Sequence, residues 1–375
     1  MEDLKVIDLF AGVGGLSVGF KKAGYKIEAA VEFDKQIAES YKLNHKDTEV
    51  FSEDIKEIVL NKKLLKYNPD IIIGGPPCQG FSMAGARIRK GFLDDDRNNL
   101  FTYYYELVRQ LKPSFFLFEN VKGILTMEDG KVFEDIIKTF SDKDNLNGDQ
   151  YYIYPTLLNA VDFGIPQKRE RVFIIGSLNK KIDFEKVIKE TRKSVLERYP
   201  HFFDKVSVWE AISNLEGEDS NGMIENLIPK NQFQEFLSSQ NRTTNHIKPK
   251  HKIMVVDRMN LISEGENYTK LDENIKSVHS GSYGRLIKEE PAPTITTRFD
   301  TPSGGRFTHP FENRTLTPRE GARIQSFPDN FEFIGTKTSI YKQIGNAVPP
   351  KLAFFLAEVL KNSKIVMDDE QDRIC

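Results

Sequence analysis

The chain reads as an α/β protein with a doubly wound sheet and a second, smaller and irregular domain. Three observations carry this expectation. Short apolar runs alternate with amphipathic stretches over residues 1–185, a glycine-rich turn follows the first run directly, and an acid stands at the end of the second. A strand, a tight glycine turn and a helix, repeated with an acid in register, are the parts of a sheet that binds a nucleotide-like ligand at its carboxyl edge.

In order, the runs are LKVIDLF (4–10), IEAAVEF (27–33), EVF (49–51), DIIIGG (70–75), SFFLFEN (114–120) and RVFIIGSL (171–178). Most are apolar on both faces and bounded by Gly, Pro or polar residues, as strands of a parallel sheet covered on both sides must be. Between them, Leu100, Tyr103, Tyr104, Leu107 and Leu111 fall at helical spacing. From about 186 to 335 neither period is sustained, which delimits the second domain. Residues 336–375 then return to the first: two prolines open a helix with Leu352, Phe355, Leu356, Val359 and Leu360 along one face, and the acidic tail from Met367 frays.

With 53 Lys and Arg against 55 Asp and Glu in 375 residues, the formal net charge is -2. A uniformly basic coat is excluded, so any contact with nucleic acid must come from a local patch. Two cysteines, Cys78 and Cys375, are not expected to build a disulfide framework or a four-ligand zinc site, and the six histidines show no metal-ligand spacing. No metal is expected. No apolar run is long enough to span a bilayer, and MEDLKVIDLF carries acids where a signal peptide carries bases, so the expected location is the cytoplasm, away from membranes.

Four stations can carry chemistry. In DLFAGVGG, Phe10 and Ala11 precede Gly12, Gly14 and Gly15, which let the backbone approach a ligand; twenty positions after Gly12, Glu32 can hold both hydroxyls of a ribose. A glycine turn without a ligand is the bland alternative. In GGPPCQGFS, a buried strand ends in two glycines and two prolines and presents Cys78 at the carboxyl edge; a thiol of pKa about 8.5 attacks poorly until its surroundings activate it. In FLFEN, Glu119 ends an apolar strand, where it either wastes desolvation energy or is kept to donate a proton to a substrate; the bland alternative is a helix cap, for which Asn120 would serve as well. In QKRERVF, Arg169 and Arg171 enter a strand two apart, hence on one side, suiting a phosphate or a carbonyl oxygen; a solvated edge strand is the other reading.

Together and in this order, DLFAGVGG, VEFD, GGPPCQGFS, FENV, QKRERVF, RTLTPREGARIQSFPDNF (314–331) and QIGNAVPP (343–350) resemble the DNA (cytosine-5)-methyltransferases of bacterial restriction-modification systems. The resemblance implies a Rossmann-like methyltransferase fold with S-adenosyl-L-methionine as cofactor. It places Phe10, Ala11, Gly12, Gly14, Gly15, Glu32, Phe33, Asp54, Ile55 and Asn346 around that cofactor, with Pro76 near its methyl end. Cys78 would be the nucleophile, Glu119, Arg169 and Arg171 would line the base pocket, and residues 81–99 would close over DNA. Residues 186–335 would be the target-recognition domain. The implied partners are double-stranded DNA and a companion restriction endonuclease acting on the same site; the chain is expected to act as a monomer.

The chemistry asks for the same parts. Carbon 5 of cytosine is too weak a nucleophile for a sulfonium methyl until a thiolate adds to carbon 6 and an acid stabilises the adduct at nitrogen 3. The thiol cannot reach a stacked base, so the cytosine must be flipped out, and Gln79 or Ser82 can fill the gap. Lys248, Lys250 and Arg298, with Arg306, Arg314, Arg319 and Arg323, would form a basic cleft for phosphates. Two readings compete: a transfer-RNA cytosine-5 methyltransferase, which would share the pocket, and a nonenzymatic cofactor-binding module, which would not need Cys78, Glu119 and the arginine pair together.

Overall fold

Strands whose side chains are buried on both faces set the architecture. In the computed structural model, which describes residues 4–77, 100–217, 221–238, 242–271 and 280–372, β1 (Lys5–Leu9), β2 (Lys26–Val31), β3 (Glu49–Phe51), β4 (Ile71–Gly74) and β5 (Phe115–Val121) pair in parallel in the order 3-2-1-4-5. The helices α1 (Gly15–Lys22), α2 (Lys35–Asn44), α3 (Ile55–Leu60) and α4 (Leu100–Leu111) alternate with them. The order reverses between β1 and β4. Their carboxyl ends therefore diverge into a crevice, the place where open α/β sheets take ligands.

The far side of the sheet differs from the all-parallel expectation. After α5 (Lys131–Ser141), β6 (Tyr151–Asn159) runs along the outer edge, and β8 (Glu170–Leu178) lies between β5 and β6, antiparallel to both. The link from β6 to β8 holds one short turn of helix and the two-residue β7 (Gln167–Lys168). That is too short for the crossover that a parallel return needs. β6 itself escaped the sequence reading because it is half-exposed and carries Pro155, so it lacks the two-sided apolar run of its neighbours.

Alternation along the strands divides the core. Val6, Ile71, Ile73, Phe115 and Leu117 face α1, α6 (Phe184–Arg198) and α12 (Pro350–Asp372), contributing to one cluster with Phe20, Val187, Val195, Phe355 and Val359. Ile7, Leu9, Ile72, Phe116 and Phe118 face the other way, onto Ile58, Tyr104, Leu107 and Phe140. The boundary expected at 185/186 needs correction: it falls inside α6, whose Phe184, Val187 and Val195 belong to the first of these clusters. The helix is hidden by its charge, with only four buried positions in fifteen residues.

The remaining elements are short: α7 (Val208–Ile212), β9 (Ile224–Glu225), α8 (Gln232–Leu237), β10 (Arg242–Thr243), α9 (Ile253–Asn260), β11 (Ala292–Pro293), α10 (Pro318–Ile324) and α11 (Lys337–Asn346). Phe233, Ile295, Phe299, Leu316, Phe327 and Ile344 pack here with Val13 and Ile37 of the sheet domain, so one core crosses between the two regions. Where regular structure is sparse, guanidinium forks satisfy backbone and carboxylates instead. Arg323 binds Asp329 through two nitrogens (2.8 and 3.0 Å), the Ala211 carbonyl and Asn214. Arg314 binds Glu312 and Glu320, and Arg319 donates to the carbonyls of Thr244, Pro328 and Phe331. All three are buried. They hold the fold and do not belong to a solvent-facing basic cleft. Among the described residues, no helix is long and apolar enough to cross a membrane.

Candidate active site

At the end of β1 the chain turns sharply, with Phe10 (φ 55°), Gly12 (φ 56°) and Gly14 (φ 94°) in left-handed conformations. For Phe10 this strain costs on the order of 1 kcal/mol. Bonds from the Ala11 N–H to the Val31 carbonyl (3.0 Å) and from the Gly14 N–H to the Ala11 carbonyl (2.9 Å) hold it. The glycines divide by what a side chain would meet. A Cβ on Gly14 would strike His45 and Tyr41, and one on Gly15 would lie 2.2 Å from the Val348 carbonyl oxygen, so these two are needed for packing; one on Gly12 would meet nothing within 4 Å. Gly12 borders the open space.

The Glu32 carboxylate is fixed beside it. Oε2 accepts from the Gly12 N–H (2.9 Å) and Oε1 from the Asp34 N–H (2.8 Å), leaving further lone pairs for hydroxyl donors. Burial raises its pKa, opposed by those two backbone donors. Phe33 next to it is 71% exposed. Asp54 is exposed and caps α3 by accepting from the Lys56 N–H (2.9 Å), whereas Ile55 buries its side chain in the core. Asn346 is exposed at the end of α11, two residues before the Val348 carbonyl that covers Gly15.

Beneath the turn lies a buried polar chain that the sequence reading missed. Asp8 Oδ2 accepts from the Ser17 hydroxyl (2.6 Å), and Ser17 bonds the Tyr41 hydroxyl (2.7 Å). Burial raises Asp8 from 3.8 to about 7, Glu32 adding to the rise and Ser17 opposing it. The folded state therefore favours the protonated carboxyl, so this stability is full below about pH 4 and is lost as pH rises through about 7. Asp8→Asn keeps an acceptor for Ser17 and should flatten that fall. Melting temperatures from pH 4 to 8 check this; an unchanged slope would contradict it.

The second half of the site lies across the crevice at the ends of β4 and β5. Gly75, Pro76 and Pro77 follow β4; Cys78, Gln79 and Ser82 come next in the chain and lie outside the described residues. Asn120 Nδ2 donates to the Pro76 carbonyl (3.0 Å). Asn120 is thus not the helix cap considered from sequence but the donor that pins the diproline backbone. A signal for it was present: two prolines offer no N–H to a neighbouring strand, so the segment must be held through its carbonyls. A Cβ on Gly75 would lie 2.7 Å from Glu119 Oε2, so the missing side chain is what admits the carboxylate. Glu119 Oε1 lies 3.1 Å from Arg171 Nε. Burial raises the Glu119 pKa, with Arg171 and then Arg169 opposing the rise.

The two arginines do not share a task, contrary to the sequence expectation. Arg171 pairs with Glu119, while Arg169 is buried and donates to the Ile295 carbonyl (3.3 Å) and the Gly345 carbonyl (3.1 Å). Strand parity fails because Arg169 sits between β7 and β8, outside either strand. Of the proposed phosphate contacts, Lys250 and Arg298 are exposed, Arg298 lying 3.6 Å from Asp300, whereas Lys248 is partly neutralised by Glu312 at 3.2 Å.

Comparison with known proteins agrees with this geometry. The model of the C-5 cytosine-specific DNA methylase family matches residues 4–362. The chain is 36% identical over 383 residues to the Type II methyltransferase M.DdeI of Desulfomicrobium norvegicum, covering 95% of this chain and 88% of that one. It is 34% identical to the Type II methyltransferase M.FnuDI of Fusobacterium nucleatum, covering 96% and 95%. A crystal structure described as a DNA modification methyltransferase encoded within an E. coli prophage superposes with a TM-score of 0.71 at 31% identity, covering 96% and 99%. Spodoptera frugiperda DNMT2, at 20% identity and a TM-score of 0.60 over 96% of this chain and all of that one, shares the fold. A glycine turn beside a fixed acid on one side of the crevice, and a buried carboxylate beside a pinned diproline on the other, are thus arranged on a sheet whose relatives are methyltransferases: the chain belongs to the C-5 cytosine-specific DNA methylase family.

Proposed function

We propose that the protein transfers a methyl group from S-adenosyl-L-methionine to carbon 5 of a flipped-out cytosine in a specific double-stranded DNA sequence, through a covalent adduct with Cys78. In this reading it is the modification enzyme of a Type II restriction-modification system, with a companion endonuclease for the same site. The observation that carries it is the Glu119 carboxyl, buried, tethered to Arg171 and admitted by Gly75 next to Pro76-Pro77-Cys78.

The cofactor side fits its ligand chemically. Glu32 would take the ribose hydroxyls, Phe33 and Phe10 would flank the base, and Gly12 leaves room for close approach of the chain. When bound, the cofactor supplies an electrophilic methyl group on a sulfonium. Glu32→Ala should weaken cofactor affinity by roughly tenfold or more, because a buried hydroxyl contact to a charged acceptor is worth about 1.5–3 kcal/mol. DNA affinity should change little. Titration calorimetry with each ligand separates the two, and an equal loss in both would argue that Glu32 serves the fold.

On the DNA side, the Cys78 thiolate adds to carbon 6 of the cytosine while Glu119 holds a proton at nitrogen 3, so the electron pair released from the 5,6 double bond is stabilised on the ring. Arg171 holds Glu119 in place and keeps further N–H donors for the ring carbonyl. Carbon 5 would accept the methyl group, with the sulfonium leaving as a thioether; the carbon-5 proton then passes to water, Glu119 recovers the nitrogen 3 proton, and the re-formed 5,6 double bond expels the Cys78 thiolate. The unusual tilt of Glu119 toward its acid form is what the nitrogen 3 contact needs.

Incubation with labelled cofactor and either duplex DNA or transfer RNA tests the substrate class. Label in duplex DNA, mapped to cytosine by bisulfite sequencing, is expected; incorporation into RNA alone would overturn the reading.

A further inference from the structure

Arg169 and its neighbour Gln167 grip one residue from both sides. Gln167 Oε1 accepts from the Ile295 N–H (2.7 Å), and Arg169 Nη1 donates to the Ile295 carbonyl (3.3 Å). Ile295 lies in the segment that leaves β11, which itself pairs with β7, and runs on to the exposed Arg298. The same two side chains also reach the last turn of α11. Arg169 Nη2 donates to the Gly345 carbonyl (3.1 Å), and Gln167 Nε2 donates to Gln325 Oε1 (2.8 Å), whose own amide donates to the Ile344 carbonyl (2.7 Å). A Cβ on Gly345 would lie 2.4 Å from the Thr296 carbonyl oxygen, so the two segments touch. Two residues past Asn346, Val348 closes against Gly15 of the glycine turn. Arg169 is 2% exposed and its buried Nε has no hydrogen-bond partner among the described residues. Burial lowers its pKa to about 9, the neighbouring Arg171 adding to the fall and Glu119 opposing it. A lone ammonium or amide at this place could not reach both carbonyls with one rigid fork.

We propose that Arg169 is a positioning residue that couples the cofactor side of the molecule to its DNA side: it fixes the turn at 344–348 and the segment at 294–298 against each other, so that ordering one orders the other. The coupling rests on the proposed function for the identity of the two ligands. Its energetic form is reciprocal, each ligand raising the affinity for the other by the same factor.

Hydrogen exchange with S-adenosyl-L-homocysteine as probe tests this without turnover. In the wild type, the probe should slow exchange at the amides of both 344–348 and 294–298. In Arg169→Met the protection at 344–348 should remain and that at 294–298 should be lost, with probe affinity within about threefold of wild type. Arg169→Lys, which keeps the charge and at most one of the two carbonyls, should behave the same way if the methionine variant does not fold. Persistence of the 294–298 protection in either variant overturns the coupling. A wild type that binds the probe without protecting 294–298 overturns it too, whereas a wild type that binds no probe sinks the proposed function with it. Salt titrations of binding to a plasmid fragment add a control. The slope should be unchanged in the variants; a fall of about one in its magnitude would make Arg169 a phosphate ligand instead.

Discussion

Replacing Cys78 by serine should reduce methyl transfer to duplex DNA by on the order of 10⁴-fold or more, while cofactor affinity stays within about threefold of wild type. An alcohol at this position is a far weaker nucleophile at neutral pH than a thiol, because almost none of it is ionised and its anion is more strongly solvated. Without addition at carbon 6, carbon 5 keeps the aromatic ring's reluctance to accept a methyl group. The glycine turn and Glu32 follow the ends of β1 and β2, across the crevice from the diproline segment, so their geometry does not depend on the sulfur. Single-turnover rates and cofactor calorimetry on the same preparation check both halves. Retention of most of the activity would rule out covalent catalysis through Cys78.

Glu119→Gln should cost roughly 10²-fold or more in the methylation rate, with a smaller effect on DNA binding, because the amide can still hydrogen-bond the ring but cannot supply a proton. The variant should also reveal the acid in the pH profile. Burial holds the wild-type pKa above that of an ordinary glutamate, with Arg171 and Arg169 opposing, so the proton-bearing form persists at higher pH than usual and is lost as pH rises. The wild-type rate should therefore decline on the alkaline side of that pKa, and the glutamine variant should lack this limb. Identical profiles for the two proteins would assign the proton to another group. Arg171 restrains the same carboxylate, so effects at the two positions should be strongly non-additive.

Much of this site is legible in the sequence wherever local chemistry decides the structure. β1, β4 and β5 are largely buried on both faces and show it as runs that are apolar but for Asp8 in β1 and Glu119-Asn120 near the end of β5, and the glycine turn and Glu32 meet because adjacent parallel strands bring their carboxyl ends together. What was hidden depends on tertiary partners. Asn120 acquires its role only when β5 lies beside β4 and its amide meets the Pro76 carbonyl. Asp8 looks like an ordinary polar strand residue until Ser17 and Tyr41 close over it. Arg314, Arg319 and Arg323 read as a basic surface because charge is visible in a sequence and burial is not; in a region of short elements they replace the hydrogen bonds that helices and strands supply elsewhere. Arg169 was misplaced by a parity rule that holds only inside a strand.

The covalent step is the centre of the account, and trapping it is the most direct test. Duplex DNA carrying 5-fluorocytosine at the mapped site offers no carbon-5 proton to lose, so the adduct cannot collapse after methyl transfer. Intact-mass spectrometry of the reaction should show a complex of one protein, one DNA strand and one methyl group, and peptide mapping should place the bond on Cys78. Absence of the complex under conditions where ordinary cytosine is methylated, or a bond at Cys375, would contradict the mechanism.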